Sequence, residues 1–474
     1  MTFNSYTFAL FFLCVLVVYY ILGKWKMRKQ FLLITSYMFY AAWNPPFVIL
    51  LWISTFADWQ FSQFIAYTDK TSVKRIFLLG SLFVNLGLLG FFKYGNFILE
   101  NSIYILKTLG INQNFSFVNI LLPVGISFYT FQTLSYTLDV YFGKIKHWHS
   151  FLDYALYVTF FPQLVAGPIV RADEFLQQCE YEKPLVWSNI SWGFSLITLG
   201  LFEKVVVADA LLAPVTESLY SVSGTPTFTA AWVGTLAFTG QIFGDFAGYS
   251  TCAIGTAICL GFTLPRNFHF PYAAVGFSDF WRRWHISLST WLRDYLYIPL
   301  GGNRVSNFRN QINLMITMLL GGLWHGAAWS FVVWGGVHGI YLIVERYLKK
   351  TFGHQAIWQS SGMRLLLGLL TFILTCLTWV LFRASSLTQA TNIITSMLHF
   401  SSQAPTIDIS NGSLLKTIAI IFSMLGIHWL FRDKSLEEIT HKSPWWITSI
   451  ALAVMLYAIA TLHAQDRSFI YFQF

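Results

Sequence analysis

The sequence predicts an all-α polytopic membrane protein, and three observations carry that prediction. Hydrophobic residues fill 55% of the 474 positions and charged residues only 11%, with a mean hydropathy of +0.56. A soluble chain of this length would be about a quarter charged. Apolar stretches recur almost from end to end, and aromatic residues reach 19%, which suits lipid-facing helices with interfacial Trp and Tyr belts. No internal repeat, low-complexity tract or linker sets off a second folded domain, so residues 1–474 read as a single membrane domain.

The first apolar run, Thr7 to Leu22, has no basic residue before it, and Lys24, Lys26, Arg28 and Lys29 follow it. That order reads as a retained first span with its N-terminus outside. Further stretches lie at about 31–43, 46–66, 76–98, 117–141, 151–169, 192–214, 228–262, 311–345, 363–383, 414–431 and 445–463. Several are shorter than the roughly 20 apolar residues a simple span needs. Pro45-Pro46, Pro123 and Pro162 interrupt others. Irregular backbone at membrane depth is tolerated only where protein or a water-filled cavity surrounds it. The expectation is roughly eleven spans with one or two re-entrant pieces around a cavity.

Charge gives the loops an orientation. Clusters at 24–29, 69–75, 144–146 and 432–442, and the stretch Arg282–Arg309, read as cytoplasmic, whereas the nearly uncharged 401–413 reads as external. The net charge of +9 has two readings, positive-inside loops or a docking surface for a phosphorylated or acidic donor. Cys14, Cys179, Cys252, Cys259 and Cys376 show no metal-ligand spacing and support neither a disulfide framework nor a zinc site. Four of them lie in apolar stretches, where Cys behaves as a small hydrophobe.

Residues 276–303 cannot form an ordinary span, because Asp279, Arg282, Arg283, Arg293 and Asp294 sit among Trp281, Trp284, Trp291, Tyr295 and Tyr297. An interfacial or re-entrant helix suits them. Nucleic acid is excluded as a partner, since the chain has no basic domain outside its apolar stretches. Within this segment, FWRRWHISLSTWLRDYLYIPLGGN (280–303) holds His285. GGLWHGAAWSFVVWGGVHG (321–339) holds His325 forty positions later. An intramembrane His is a functional candidate by default. His325, desolvated by Trp324 among glycines, suits general acid–base work at near-neutral pH, or else packs against a carbonyl on a neighbouring helix. His285, one helical turn before Ser289, is a second catalytic group, an orienter of substrate, or an interfacial His without chemistry. His338 and Lys93 read as structural, Lys93 by snorkelling to an interface. No metal is expected: a site needs three or four ligands, and Asp279 and Asp294 have arginines nearby to pair with. No Gly-x-Ser-x-Gly elbow appears.

These segments resemble the signature of the membrane-bound O-acyltransferase superfamily, and particularly its bacterial alginate O-acetyltransferase-like branch. That branch is allied to teichoic acid D-alanyl transferases and peptidoglycan O-acetyltransferases. The likeness continues through GFFKYGNF (90–97), PVGISFYTFQTLSYTLDVY (123–141), FFPQLVAGPIVR (160–171), GDFAGYSTCAIG (244–255), TWVLFRA (378–384) and FIYFQF (469–474). Its densest segments are 123–171 and 244–345.

The resemblance implies a ring of about eleven transmembrane helices, with re-entrant or interfacial helices, around a central tunnel. His325 would be catalytic and His285 its partner, with Trp284, Trp324, Ser289 and Asn303 as tunnel-lining candidates. The acyl donor would be acetyl-CoA or an acyl carrier thioester entering from the cytoplasm, with no bound cofactor. Arg282, Arg283 and Arg293 would face its phosphopantetheine, or else serve as ordinary positive-inside anchors. The implied protein is a multi-pass enzyme of the bacterial inner membrane that O-acetylates an extracytoplasmic polysaccharide with a separate periplasmic, SGNH/esterase-fold acetyltransferase. Peptidoglycan O-acetylation and D-alanyl transfer to teichoic acid are the alternatives within the family. Tyr471, in the short aromatic C-terminus, would be an acyl relay or an interfacial anchor. From a different class, a transporter or flippase would use an intramembrane His as a proton relay. A non-catalytic scaffold is the third reading.

Overall fold

The computed structural model describes residues 1–111, 120–165, 167–399, 405–462, 467 and 469–470, with the backbone alone at Ala356 and Gln359. Among these residues there is no strand, only an isolated bridge between Pro226 and Ile407. The principal helices are α1 (Tyr6–Ile21), α2 (Trp25–Ala41), α3 (Val48–Tyr67), α4 (Thr71–Leu89), α5 (Gly95–Thr108), α6 (Ile126–Tyr141) and α7 (Phe151–Thr159). They continue with α8 (Trp187–Leu201), α9 (Phe228–Cys259), α10 (Phe277–Arg283), α11 (Ile286–Leu292), α12 (Asn307–His325) and α13 (Trp329–Phe352). The last four are α14 (Ser361–Arg383), α15 (Leu387–Met397), α16 (Asn411–Phe431) and α17 (Trp445–Thr461).

By length and composition, Thr71–Thr108, α14 and α16 can each cross a membrane, and α1 and α17 are shorter apolar helices. Other long helices carry buried polar residues, such as Ser54 and Asp58 on α3, Asp245 on α9 and Asn313 on α12. A helix packed within protein need not be apolar all round. The proline interruptions fall at breaks: Pro45–Phe47 is a short turn before α3, Gly125 beyond Pro123 starts α6 with φ 77°, and Pro162 sits in the one-turn piece Phe161–Leu164.

Contacts gather the chain into two compact units, Met1–Phe194 with Ala253–Pro265, and Ser195–Cys252 with Arg266–Phe474. In the first, polar residues recur every four positions, at Ser54, Asp58 and Ser62 on α3, Ser81 and Asn85 on α4, and Thr133 and Thr137 on α6. That spacing puts each set on one helix face. Asn85 Oδ1 accepts from Ser54 Oγ (2.8 Å) and Thr133 Oγ1 (3.0 Å). Asp58 accepts from Asn85 Nδ2 (2.6 Å), Thr137 Oγ1 (3.2 Å) and Ser81 Oγ. All of these residues are buried, and the ladder supplies the partners that water cannot.

The second unit holds both candidate histidines. The stretch 311–345, expected to be one apolar run, breaks at Gly326–Ala328 and folds back as the hairpin of α12 and α13. A Cβ on Gly322 would lie 2.2 Å from the Phe331 carbonyl oxygen, and one on Gly335 2.2 Å from that of Met318. Only glycine allows the two helix backbones this approach. Behind the hairpin, Trp284, Trp334 and Trp379 are fully buried in an aromatic core with Tyr272, Phe280, Phe372 and Phe382.

Candidate functional site

The segment 276–303 is not one helix. It breaks between α10 and α11, where Trp284 leaves the helical conformation and His285 takes a left-handed one with φ 43°. For a non-glycine residue that conformation costs about 1–2 kcal/mol, so the surroundings must hold it. They do so through two backbone hydrogen bonds across the break, Ile286 N–H to the Asn267 carbonyl and His269 N–H to the Arg283 carbonyl, both 2.9 Å.

Asn267 also sets the imidazole. Its Oδ1 accepts from Ser287 Oγ (2.9 Å) and Ser287 N (3.3 Å), while its Nδ2 donates to Ser250 Oγ (3.2 Å). The same Oδ1 lies 3.1 Å from His285 Nδ1. An amide oxygen can only accept, so Nδ1 carries the hydrogen and Nε2 keeps the lone pair.

His325 ends α12, and its ring centroid lies 6.1 Å from that of His285. Trp324 touches both, at 5.7 Å from His285 and 5.1 Å from His325. Trp334 (5.1 Å) and Phe382 (5.4 Å) enclose His325 further, and Phe246 (4.7 Å) covers His285. Both histidines are buried. The buried indole N–H groups of Trp281, Trp284, Trp334 and Trp379 have no hydrogen-bond partner among the described residues. Buried indoles ordinarily find an acceptor, so this aromatic cluster carries donors available to a ligand oxygen.

The other predicted residues divide. Ser289 does not share a helix face with the His285 side chain, because α11 begins only after His285. Its Oγ instead donates to the Trp284 carbonyl (3.2 Å). Arg283 is held internally by Asp279 (2.9 Å), Asp433 (3.4 Å) and the Arg432 carbonyl (2.6 Å). Arg282 is exposed, and exposed Arg293 pairs with Asp294 at 2.7 Å. Asn303 is exposed rather than lining an interior. Asn310 and Asn313 are the buried amides here, binding the Gly302 carbonyl (2.7 Å) and the Leu300 carbonyl (3.1 Å) around a turn with φ 108° at Gly301. His338 Nε2 lies 3.1 Å from Thr378 Oγ1, in keeping with its structural reading. Tyr471 lies outside the described residues. Among those residues, no three His, Cys, Asp or Glu side chains are grouped to hold a metal.

Two features escaped the sequence reading. Asn267 lies eighteen positions before His285, with no spacing rule to connect them. The other is a buried ionic cluster: Lys204 contacts Asp245 and lies 3.0 Å from Asp209, and Asp245 Oδ2 accepts from Ile470 N–H (2.8 Å). Phe469 then packs on Tyr249 (4.5 Å) and Phe246 (5.5 Å), the ring that covers His285. Ionisable residues inside apolar stretches were the available signal.

This geometry is that of a buried two-histidine site in a helical membrane protein. The model of the membrane-bound O-acyltransferase family matches residues 126–378. The chain is 40% identical over 404 residues to the probable alginate O-acetylase AlgI of Pseudomonas aeruginosa, covering 84% of this chain and 75% of that protein. It is 33% identical to the peptidoglycan O-acetyltransferase of Helicobacter pylori over all of this chain and 97% of that one. It is also 27% identical to the teichoic acid D-alanyltransferase of Streptococcus thermophilus, over 67% of this chain and 72% of that protein. The chain belongs to the membrane-bound O-acyltransferase family and is an acyltransferase.

Proposed function

We propose that this enzyme moves acetyl groups from a cytoplasmic thioester, acetyl-CoA or an acyl carrier protein, toward an extracytoplasmic polysaccharide. The observation that carries the reading is the burial of two imidazoles, centroids 6.1 Å apart, in an aromatic enclosure with unused indole donors. The activities for which the relatives are named support acetyl over other acyl groups and an alginate-like polymer or peptidoglycan as acceptor; D-alanyl transfer to teichoic acid is the family alternative.

In the proposed step His325 takes the proton of the acceptor hydroxyl as its oxygen attacks the thioester carbonyl. The carbon–sulfur bond then breaks, an ester forms, and the proton passes to the departing thiolate. Indole N–H groups, Trp284 foremost, stabilise the developing oxyanion. His285, with its tautomer set by Asn267, presents Nε2 to the reacting groups. The protein sits in the inner membrane with its N-terminus periplasmic, following the basic residues after the first apolar run, and hands the acetyl group to a periplasmic esterase-fold acetyltransferase.

Purified protein in liposomes, supplied with acetyl-CoA and a hydroxyl acceptor such as an alginate oligosaccharide, tests this by thiol release. His325→Ala should reduce release by about 10²–10⁴-fold while leaving thermal unfolding near wild type. A folded His325→Ala protein with wild-type thiol release would overturn the assignment of His325, and transport of solute without thiol release would favour a carrier.

A further inference from the structure

The start of α14 and the end of α16, two of the segments able to cross a membrane, come together at a cavity of about 540 Å³. Its lining includes Arg364, Arg432, Asp433 and Lys434, together with Trp429 and the apolar Leu365 and Leu430. Three of its side chains are cationic and one is anionic. Neighbouring Arg283 and Asp279 pair at 2.9 Å, and Arg432 Nε lies 3.5 Å from Asp433 Oδ2, so four cations meet two carboxylates and the local charge stays positive.

Arg432 is the informative residue. Its side chain is 12% exposed, Nη2 lies 3.4 Å from Asp279 Oδ2, and its guanidinium lies 5.1 Å from the centre of the Trp429 ring. Its Nη1 is buried with no hydrogen-bond partner among the described residues. A buried guanidinium N–H without an acceptor is costly, and an anion in the cavity would supply one. The first-turn N–H groups of α14 add donors of the same polarity.

The surroundings identify the carrier of that anion. Leu430 is 71% exposed and Leu365 45%, and Ile427, Leu366 and Leu369 beside them are also exposed. A basic recess opening beside lipid-facing apolar side chains, at the level where two spans end, fits a phosphate with acyl chains attached. We infer that this cavity binds the phosphate of an anionic phospholipid head group, a ligand separate from the acyl donor and acceptor.

The test uses full-length protein in nanodiscs of phosphatidylcholine alone or with phosphatidylglycerol, compared with an R364Q/K434Q double variant. Both substituted residues are exposed, so the fold should persist. Phosphatidylglycerol should raise the unfolding temperature of the wild type by a few degrees, and the double variant should lose at least half of that shift with its KM for acetyl-CoA unchanged. An equal shift in the two proteins, or none in the wild type, would overturn the inference. An intact lipid shift with a KM for acetyl-CoA raised several-fold would also overturn it, because the cavity would then serve the phosphates of the donor.

Discussion

At the residue scale, the two histidines owe their geometry to different causes. His325 lies at the end of a regular helix, and its setting follows from the glycine-rich hairpin beyond it. His285 depends on a left-handed backbone position that no spacing rule announces. Asn tolerates that conformation better than Ala does. His285→Asn and His285→Ala should both lower thiol release sharply, yet the Asn protein should be more stable by about 1 kcal/mol, read as a higher unfolding midpoint in detergent. The opposite order would mean that the backbone at 285 is not left-handed. Asn267 acts through His285 and is a positioning residue. Asn267→Ala should cost about 10-fold or more in turnover, less than the roughly 10²–10⁴-fold contribution of an acid–base group itself. Asn267→Asp, which still accepts from Nδ1–H, should restore part of it; equal losses would argue for a merely structural Asn267. The roles of His325 and His285 as candidates were legible in the chain, since isolated imidazoles in apolar sequence stand out. Ser289 was misplaced because a periodicity argument assumes an unbroken helix, and the chain breaks at His285; Asn303, a candidate by resemblance and by its place beside two glycines, is exposed.

At the element scale, the α12–α13 hairpin depends on which of two adjacent glycines faces the partner helix. Gly335 meets the Met318 carbonyl at 2.2 Å from a built Cβ, whereas at Gly336 the nearest atom is Leu319 Cδ2 at 3.4 Å. Gly335→Ala should therefore destabilise the protein by about 1–3 kcal/mol or more, as overpacking does. Gly336→Ala should be neutral or stabilising, because Ala is the better helix former. Thermal unfolding of the two variants checks the contrast, and similar behaviour would contradict the close helix contact. The glycines themselves were visible as permitting close approach, of helix to helix or of backbone to ligand. At Gly322 and Gly335 the choice is helix to helix, a matter of side-chain direction that composition does not contain.

At the scale of the whole molecule, residues far apart in the chain join through the buried Lys204, Asp209 and Asp245 cluster. One ammonium faces two carboxylates, and the second carboxylate also holds the backbone at Ile470. Removing one member of a buried ionic group costs about 3–5 kcal/mol. Lys204→Met should accordingly lower the unfolding midpoint strongly, while Lys204→Met combined with Asp209→Asn and Asp245→Asn should recover much of the loss. A triple variant less stable than Lys204→Met alone would show that the cluster is not acting through uncompensated charge. Arg467, whose Nη1 and Nη2 both donate to the Glu217 carboxylate, adds a second tie for the same end of the chain.

The amino-acid sequence by itself determined the helical membrane character, the family and the two histidine segments. These are encoded by composition and by short contiguous patterns, and local patterns survive whatever the chain does elsewhere. Only the tertiary structure decided that Asn267 sets the His285 tautomer and that Arg283 is held internally. It also brought the C-terminal Phe469 against the ring covering His285. Each of those depends on which side chains meet across long separations, under the requirement that buried polar groups find partners where no water can supply them.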